Sequence, residues 1–387
     1  MPFIDNLLHH PRRLWLRRAL FQIHLWAGVL VAVYLVVIAL SGSVLVFKDE
    51  LTRWSLPPMH AYDRQHMLSP EQVVAMLRHS EPAATLSLLQ APTTVLPAYL
   101  LEGKDRRGRT QRWLADPVTG ALHPVPRTWL DWMHDLHYYL LLPTAYGMQV
   151  NAVGGAVLLL LAASGLALWW PGVRLWTRGL RVNLRAGWKR VNYDLHSAIG
   201  FWTLLIVSWW ALSGVYFGFY KQVVAAASLL SPVEGMRSPV PVSLPQQSAG
   251  ARPSLQAVLQ AAQTASPHGT LWSVSDPMLR SGETYVLMDL RAPGDFSHRD
   301  IVRVRTADAR VLSVWHYGER HTFSDWFLWS MHPLHFGTLW GLPVKIVWAL
   351  LGVALAVLTV TGLLMYWNRY LRLHVPHFAE ERRPTTA

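Results

Sequence analysis

The 387-residue chain contains no cysteine. Disulfides, thiolate metal centres and iron–sulfur clusters are excluded together, and large exported segments without cysteine suit a bacterial periplasm. No G-x-G-x-x-G or G-K-[ST] sequence is present, so the chain offers no flavin or nicotinamide site, and any such cofactor belongs to another protein. Acidic residues are scarce: 23 Asp and Glu stand against 35 Lys and Arg, a formal net charge of +12.

Most of the surplus lies in three places. Arg12, Arg13, Arg17 and Arg18 precede the first apolar run. Arg174, Arg178, Arg181, Arg185, Lys189 and Arg190 lie within residues 171–194, and Arg369, Arg372, Arg382 and Arg383 lie in the tail. Only Asp5, Asp194, Glu380 and Glu381 oppose these fourteen, and the difference of ten accounts for most of the net charge. Positive charge beside membrane spans is retained in the cytoplasm. The basic balance therefore records topology, and no nucleic-acid partner is needed to explain it.

Apolar surface is what the chain has in excess: 52% of residues are hydrophobic and 20 are Trp. Uncharged stretches cover residues 21–47, 136–170, 195–220 and 346–368, each longer than the roughly 20 residues that a helix needs to cross a bilayer. Four spans are expected, lodged in the lipid bilayer of a bacterial inner membrane with both termini cytoplasmic. The first lacks an A-x-A site before Lys48 and reads as an uncleaved signal anchor. The expected division is a cytoplasmic N-terminus (1–20), a span (21–47), an exported domain (48–133), an outer histidine segment with the second span (134–170) and a cytoplasmic loop (171–194). The second half repeats that order: a span (195–220), an exported domain (221–331), an outer histidine segment with the fourth span (332–368) and a cytoplasmic tail (369–387).

An internal echo supports a duplication. His24, Gly28, Leu40, Ser41, Gly42 and Phe47 recur 172 residues later as His196, Gly200, Leu212, Ser213, Gly214 and Phe219. His134-Asp-Leu-His137 recurs 198 residues later as His332-Pro-Leu-His335. The exported segments also share an order. The first has a helix signal at residues 69–77, with Ser69 as cap, and a turn at Asp116-Pro-Val-Thr-Gly120. The second has a Pro-, Ser- and Gln-rich linker through Gln247, a helix near residues 253–264, and strands at 283–289 and 301–305. The expected fold is membrane α-helical: a four-helix transmembrane bundle from an internal duplication, carrying two small α+β domains.

Ionisable side chains within spans are costly unless they are paired or bound. A matched set of four histidines, one per span, therefore points to a cofactor, and haem with two axial imidazoles per iron fits the count. His24 and His196 share the cytoplasmic level, and the His-x-x-His pairs share the outer one. Gly28 and Gly200, one turn beyond the inner histidines, would admit a flat macrocycle close to the backbone. The hydroxyl–glycine pairs Ser41–Gly42, Ser164–Gly165, Ser213–Gly214 and Thr361–Gly362 read as small packing surfaces. Arg17, Arg18, Arg190 and Lys345 are candidates to neutralise propionates. A continuous helix over residues 137–170 would rise about 50 Å, beyond the approximately 30 Å hydrocarbon core. A break is therefore expected near Pro143 and Gly147, and near Gly337, Gly341 and Pro343 in the second half.

The span with an early His and a late Ser-Gly, the Asp-Pro-x-Thr-Gly turn, the L-H-x-x-L segment and the final His332-Pro-Leu-His-Phe-Gly337 resemble the PepSY-associated transmembrane family over nearly the whole chain. The length and four-span layout resemble its FoxB-like inner-membrane siderophore reductases. That resemblance implies PepSY-like periplasmic domains, two b-type haems and electron delivery to ferric siderophores, hydroxamates first, from a quinol or cytoplasmic reductase. It marks His137 and His335 as outer ligands, with His134 and His332 as second choices, and no catalytic residue beyond haem. The second exported segment has Thr306-Ala-Asp308 where the first has its turn. Two other readings are a haem relay to a different periplasmic acceptor and a non-redox protein whose PepSY-like domains bind peptides or restrain a protease.

Overall fold

The computed structural model describes residues 15–54, 66–93, 96–173, 176–233, 253–291, 298–317 and 322–371. Outside them lie the linker through Gln247, the tail histidines His9, His10, His374 and His377, and the flanking charges Asp5, Arg12, Arg13, Arg174, Arg372, Glu380, Glu381, Arg382 and Arg383. The chain forms two compact units. One comprises Met1–Val46, Met133–Val223 and Trp340–Ala387, the other Phe47–Trp132 and Val224–Leu339.

The first unit is a helix bundle. Among the described residues four helices are long and apolar enough to cross a membrane: Trp15–Leu45, Gly147–Trp169, Trp188–Gly218 and Leu342–Leu371, the first to fourth spans below. The first and third begin earlier than their apolar runs, because Leu16, Arg17 and Arg18, and likewise Lys189 and Arg190, are good helix formers that continue the turn past the apolar boundary. The fourth closes with a π-helical turn at Trp367–Leu371. Leu30 and Leu205 are 86% and 82% exposed, apolar surface that suits lipid and not water. The spans form a ring: first on second, second on third, third on fourth and fourth on first. The first and third are thus diagonal. Glycine permits close crossings: a Cβ on Gly155 would lie 2.9 Å from the Ala211 carbonyl oxygen, and one on Gly352 would lie 3.1 Å from that of Ala39.

The outer histidines do not sit on the spans that follow them. His134 and His137 ride on a separate helix, Trp129–Tyr139. It ends where Leu140 and Leu141 take positive φ (55° and 60°) before Pro143, and the second span starts at Gly147, whose Cβ would meet the Tyr139 carbonyl oxygen at 2.7 Å. In the other half, the helix Phe323–Phe336 carries His332 and His335 and stops at left-handed Gly337, with Gly341 (φ 72°) leading into the fourth span. The chain breaks at the proline and glycines that the length argument singled out.

The second unit corrects the expectation of two small domains. Its strands β1 (Thr85–Gln90), β2 (Tyr99–Lys104), β3 (Thr110–Ala115), β4 (Leu122–Val125), β5 (Thr270–Ser275), β6 (Glu283–Asp289), β7 (Arg299–Arg305) and β8 (Val311–Trp315) form one antiparallel sheet in the order β4-β3-β2-β1-β5-β6-β7-β8. Each half is a four-strand meander, and β1 and β5 join them through Leu88–Ser275, Leu89–Val274 and Gln90–Ser273. The physical reason is burial. The helices Pro70–Ser80 and Leu255–Ala265 place Val73, Val74, Leu77, Val258 and Ala262 in one core with Leu89, Tyr99, Val274 and Val302. A larger shared core removes more apolar surface from water than two small ones. Ser69 caps the first helix with Gln72 completing the box, and Ser254 caps the second.

The two turns reach one geometry by different sequences. Asp116 donates its amide to Ala121 and accepts at Oδ1 from the Val118 and Thr119 amides, and Gly120 takes φ 71°. In the second half Arg305 donates to Arg310 across the same number of residues, and Ala309, at the place of Gly120, takes φ 54°. The Thr306-Ala-Asp308 departure leaves the backbone turn intact.

Candidate cofactor site in the helix bundle

The early positions of His24 and His196 in the first and third spans bring their rings together across the diagonal of the bundle. The ring centres are 6.4 Å apart and the planes 87° apart. Both rings line a cavity of about 590 Å³, within the range of roughly 300–1,000 Å³ that accommodates a sizeable ligand. All four spans contribute to its wall, including Gly28, Gly200, Leu161, Val207 and Leu358. A Cβ on Gly28 or Gly200 would approach nothing closer than a leucine methyl, at 3.9 and 3.5 Å.

Hydrogen bonds fix which ring nitrogen is left. His24 Nδ1 lies 2.9 Å from Ser164 Oγ, and that hydroxyl already donates its single proton to the Leu160 carbonyl at 2.7 Å. It can therefore only accept from the imidazole. His196 Nδ1 lies 3.0 Å from the Leu358 carbonyl and 3.2 Å from Thr361 Oγ1; a carbonyl cannot donate. Both rings are Nδ1–H tautomers, and no described residue hydrogen-bonds either Nε2. This is the form that metal-binding histidines adopt, with one nitrogen anchored by a neighbour and the other carrying the lone pair.

These residues fit a haem. Two imidazoles on opposite sides of one iron place their centres about 6.3 Å apart, from metal–nitrogen bonds of about 2.0 Å and about 1.15 Å from nitrogen to ring centre. Among the described residues no group of three or more His, Cys, Asp or Glu side chains gathers as a metal site, so a macrocycle supplying its own equatorial donors suits the pair better than a bare ion. Arg17, Arg18 and Arg369 also line the cavity. Arg17 spends its guanidinium on carbonyls at the end of the second span, those of Ala167, Leu168 and Trp170. Arg190, another propionate candidate, pairs with Asp194 at 2.9 Å and, like Lys345, is not among the lining residues. Among the described lining residues Arg18 and Arg369 are the cations left to face an anionic group; from sequence Arg369 was read only as part of the basic tail.

A family model described as the PepSY-associated TM region matches residues 21–369. The chain belongs to that family. No curated protein matches it. Membership agrees with a four-span membrane protein bearing an antiparallel sheet unit, which is the PepSY-like part of the chain.

The outer histidines of this family member are held differently from one another. His137 Nδ1 lies 3.1 Å from the Ile38 carbonyl and 3.0 Å from Ser41 Oγ, so it too is an Nδ1–H tautomer. Its helix is tied down by Asn151, which donates to the His137 carbonyl and accepts from the Tyr34 hydroxyl. His134 instead pairs with Asp135 at 3.1 Å and stacks on Tyr138, which favours His137 of the two as a ligand. His332 stacks on Phe336, and burial together with the Arg299 charge pushes it down to about 3. His335 lies one turn further on the same helix, in the sheet unit.

The hydroxyl–glycine pairs have a role that the sequence reading missed. Ser164–Gly165, Thr361–Gly362 and Ser41–Gly42 each set a hydroxyl on a histidine Nδ1 and an open glycine against that ring's Cε1. The signal was present: each of these three pairs lies at the level where another helix carries a histidine. Asn151 and Asn192, the latter donating to the Thr361 carbonyl at 2.9 Å, left no comparable pattern.

Proposed function

We propose that this chain is a di-haem b-type electron-transfer protein of the bacterial inner membrane that reduces ferric siderophores at the periplasmic face. The observation that carries the reading is the His24–His196 pair, two imidazoles 6.4 Å apart with their Nδ1 protons engaged elsewhere. His24 and His196 would hold one haem, and His137 with His335 a second. A bound haem supplies one-electron exchange between ferric and ferrous iron, and the protein adjusts its potential through axial ligands and burial.

The remaining work falls to the chain. Leu35, Val207 and Leu355 line the apolar part of the cavity and exclude water, while Arg18 and Arg369 take carboxylates. The basic segments hold both termini in the cytoplasm, and either a quinol in the membrane or a cytoplasmic reductase gives up the electron. At the other side a ferric hydroxamate gains it and becomes iron(II), a weaker partner for hard oxygen donors, so the metal is released from an intact chelator. The repeated helix-and-meander units and the 172-residue echo reflect one ancestral duplication.

Two measurements test this. Protein purified after haem-replete expression is expected to be red with a Soret band; a colourless preparation would point to a peptide-binding or protease-regulating PepSY protein. Dithionite-reduced protein mixed anaerobically with ferrioxamine is expected to reoxidise. Failure with every ferric siderophore, but success with a copper complex or a periplasmic reductase, would make it a relay to another acceptor.

A further inference from the structure

We propose that Ser164–Gly165 and Thr361–Gly362 are positioning residues that lock the His24 and His196 rings at right angles and so fix the electronic symmetry of the iron between them. The inference rests on the haem reading above and deepens it.

Nothing intrinsic holds an imidazole plane, because the histidine χ2 torsion is broad. Here two contacts act on each ring. Ser164 Oγ holds His24 Nδ1 at 2.9 Å, and a Cβ on Gly165 would reach His24 Cε1 at 3.2 Å. Thr361 Oγ1 and the Leu358 carbonyl hold His196 Nδ1 at 3.2 and 3.0 Å, and a Cβ on Gly362 would reach His196 Cε1 at 3.1 Å. Each ring is anchored at Nδ1 and has a glycine beside Cε1, where any added Cβ would press on the ring and turn it. The anchors themselves are fixed, since each hydroxyl bonds back into its own helix, Ser164 to Leu160 and Thr361 to Leu358. The clamp on His24 comes from the second span and that on His196 from the fourth, and the planes end 87° apart. His137 with Ser41 and Gly42 repeats the device, which marks it as built into the fold.

The orientation has a chemical consequence. Each axial imidazole interacts through its π system with the iron d orbital that lies perpendicular to its plane. Parallel rings raise the same orbital and split the pair, giving ferric low-spin iron a rhombic three-line paramagnetic resonance spectrum. Perpendicular rings act on one orbital each and leave the two nearly degenerate, giving a strongly anisotropic spectrum dominated by a single large-g feature.

The test uses the full chain in detergent, oxidised, as the double variant His137→Ala/His335→Ala, which retains the inner haem alone. A large-g signal is expected. Ser164→Ala, which removes the hydroxyl anchor and leaves His24 only the Leu161 carbonyl, and Gly165→Ala, which pushes on its Cε1, are each expected to shift it toward a rhombic spectrum, whereas Ser164→Thr, which keeps the hydroxyl, preserves it. A rhombic spectrum from the parent, or a large-g signal unchanged in both Ser164→Ala and Gly165→Ala, overturns the proposal while leaving the haem assignment standing. A parent without a Soret band overturns both. If Ser164→Ala does not fold, Gly165→Ala against Ser164→Thr gives the same discrimination.

Discussion

Asn151 Nδ2 holds the backbone carbonyl of His137 at 2.6 Å. The helix that carries His137 ends two residues later, at Tyr139, where carbonyls lack partners within the helix. A side chain of the second span supplies one, and Tyr34 of the first span orients that side chain through Asn151 Oδ1 at 2.8 Å. Asn151→Leu is expected to release the helix end and weaken haem retention at His137 by about 10–100-fold, the usual loss when the support of a metal ligand is removed. A haemochrome assay during detergent dilution would show one haem per chain lost early; retention of both would reject this support role.

Gly42→Ala offers a steric version. The added Cβ would lie 2.9 Å from His137 Cε1, closer than real Cβ contacts come, so the ring must move. One haem is expected to be lost while the His24–His196 spectrum is unchanged. If the inner spectrum changes as well, the sites are not independent.

The seam between β1 and β5 predicts how the sheet unit unfolds. Leu89 and Val274 pair there, and both are fully buried. Leu89→Ala should cost about 2–5 kcal/mol and lower the melting of both meanders together. Hydrogen exchange on β3 and β7 is the measurement, and loss of protection in the first half alone would restore the picture of two domains.

The twin turns give an opposed pair of substitutions. Gly120→Ala places a Cβ at φ 71° and onto the Met76 sulfur, so it should destabilise by more than the about 1–2 kcal/mol of left-handed strain. Ala309→Gly removes such strain at φ 54° and is expected to be neutral or stabilising by up to about 1 kcal/mol after the entropy cost of glycine. Thermal unfolding of the full chain reads both.

Asp131 makes stability depend on acid. Burial alone would push its carboxyl up, but the Thr128 amide, the Arg112 charge and the Thr128 hydroxyl outweigh burial and hold it below the usual carboxylate range. A carboxylate whose folded pKa is depressed contributes stability that is present above its unfolded pKa, about 3.9. That stability disappears as pH falls through the lower folded value. Asp131→Asn should therefore narrow the gap between unfolding midpoints at pH 6 and at about pH 3; an unchanged gap would remove Asp131 from the acid response.

Much of the bundle was legible because membrane spans announce themselves by length and apolarity, and because Pro143, Gly147, Gly337 and Gly341 mark breaks through backbone chemistry alone. The His24–His196 pairing was legible from the 172-residue echo. Burial hid the rest. Strand order is set by which hydrophobic faces meet, so two matching segments could not reveal that Leu89 would pair with Val274. The turn at Ala309 was obscured for the converse reason, since the backbone geometry survived the loss of its glycine. Ser164 and Thr361 looked like packing residues because a hydroxyl's partner lies on another helix, beyond the reach of local pattern.

The ring order of the spans also bears on biosynthesis. His24 and His196 belong to diagonal helices, and the wall between them is completed by Leu358 and Gly362 of the last span. A nascent chain that has inserted two spans therefore presents a lone imidazole, and one that has inserted three still lacks the Leu358 carbonyl that orients the second. On the haem reading, loading of the inner site would wait until insertion is complete, and a truncated product would be left outside the proposed electron path.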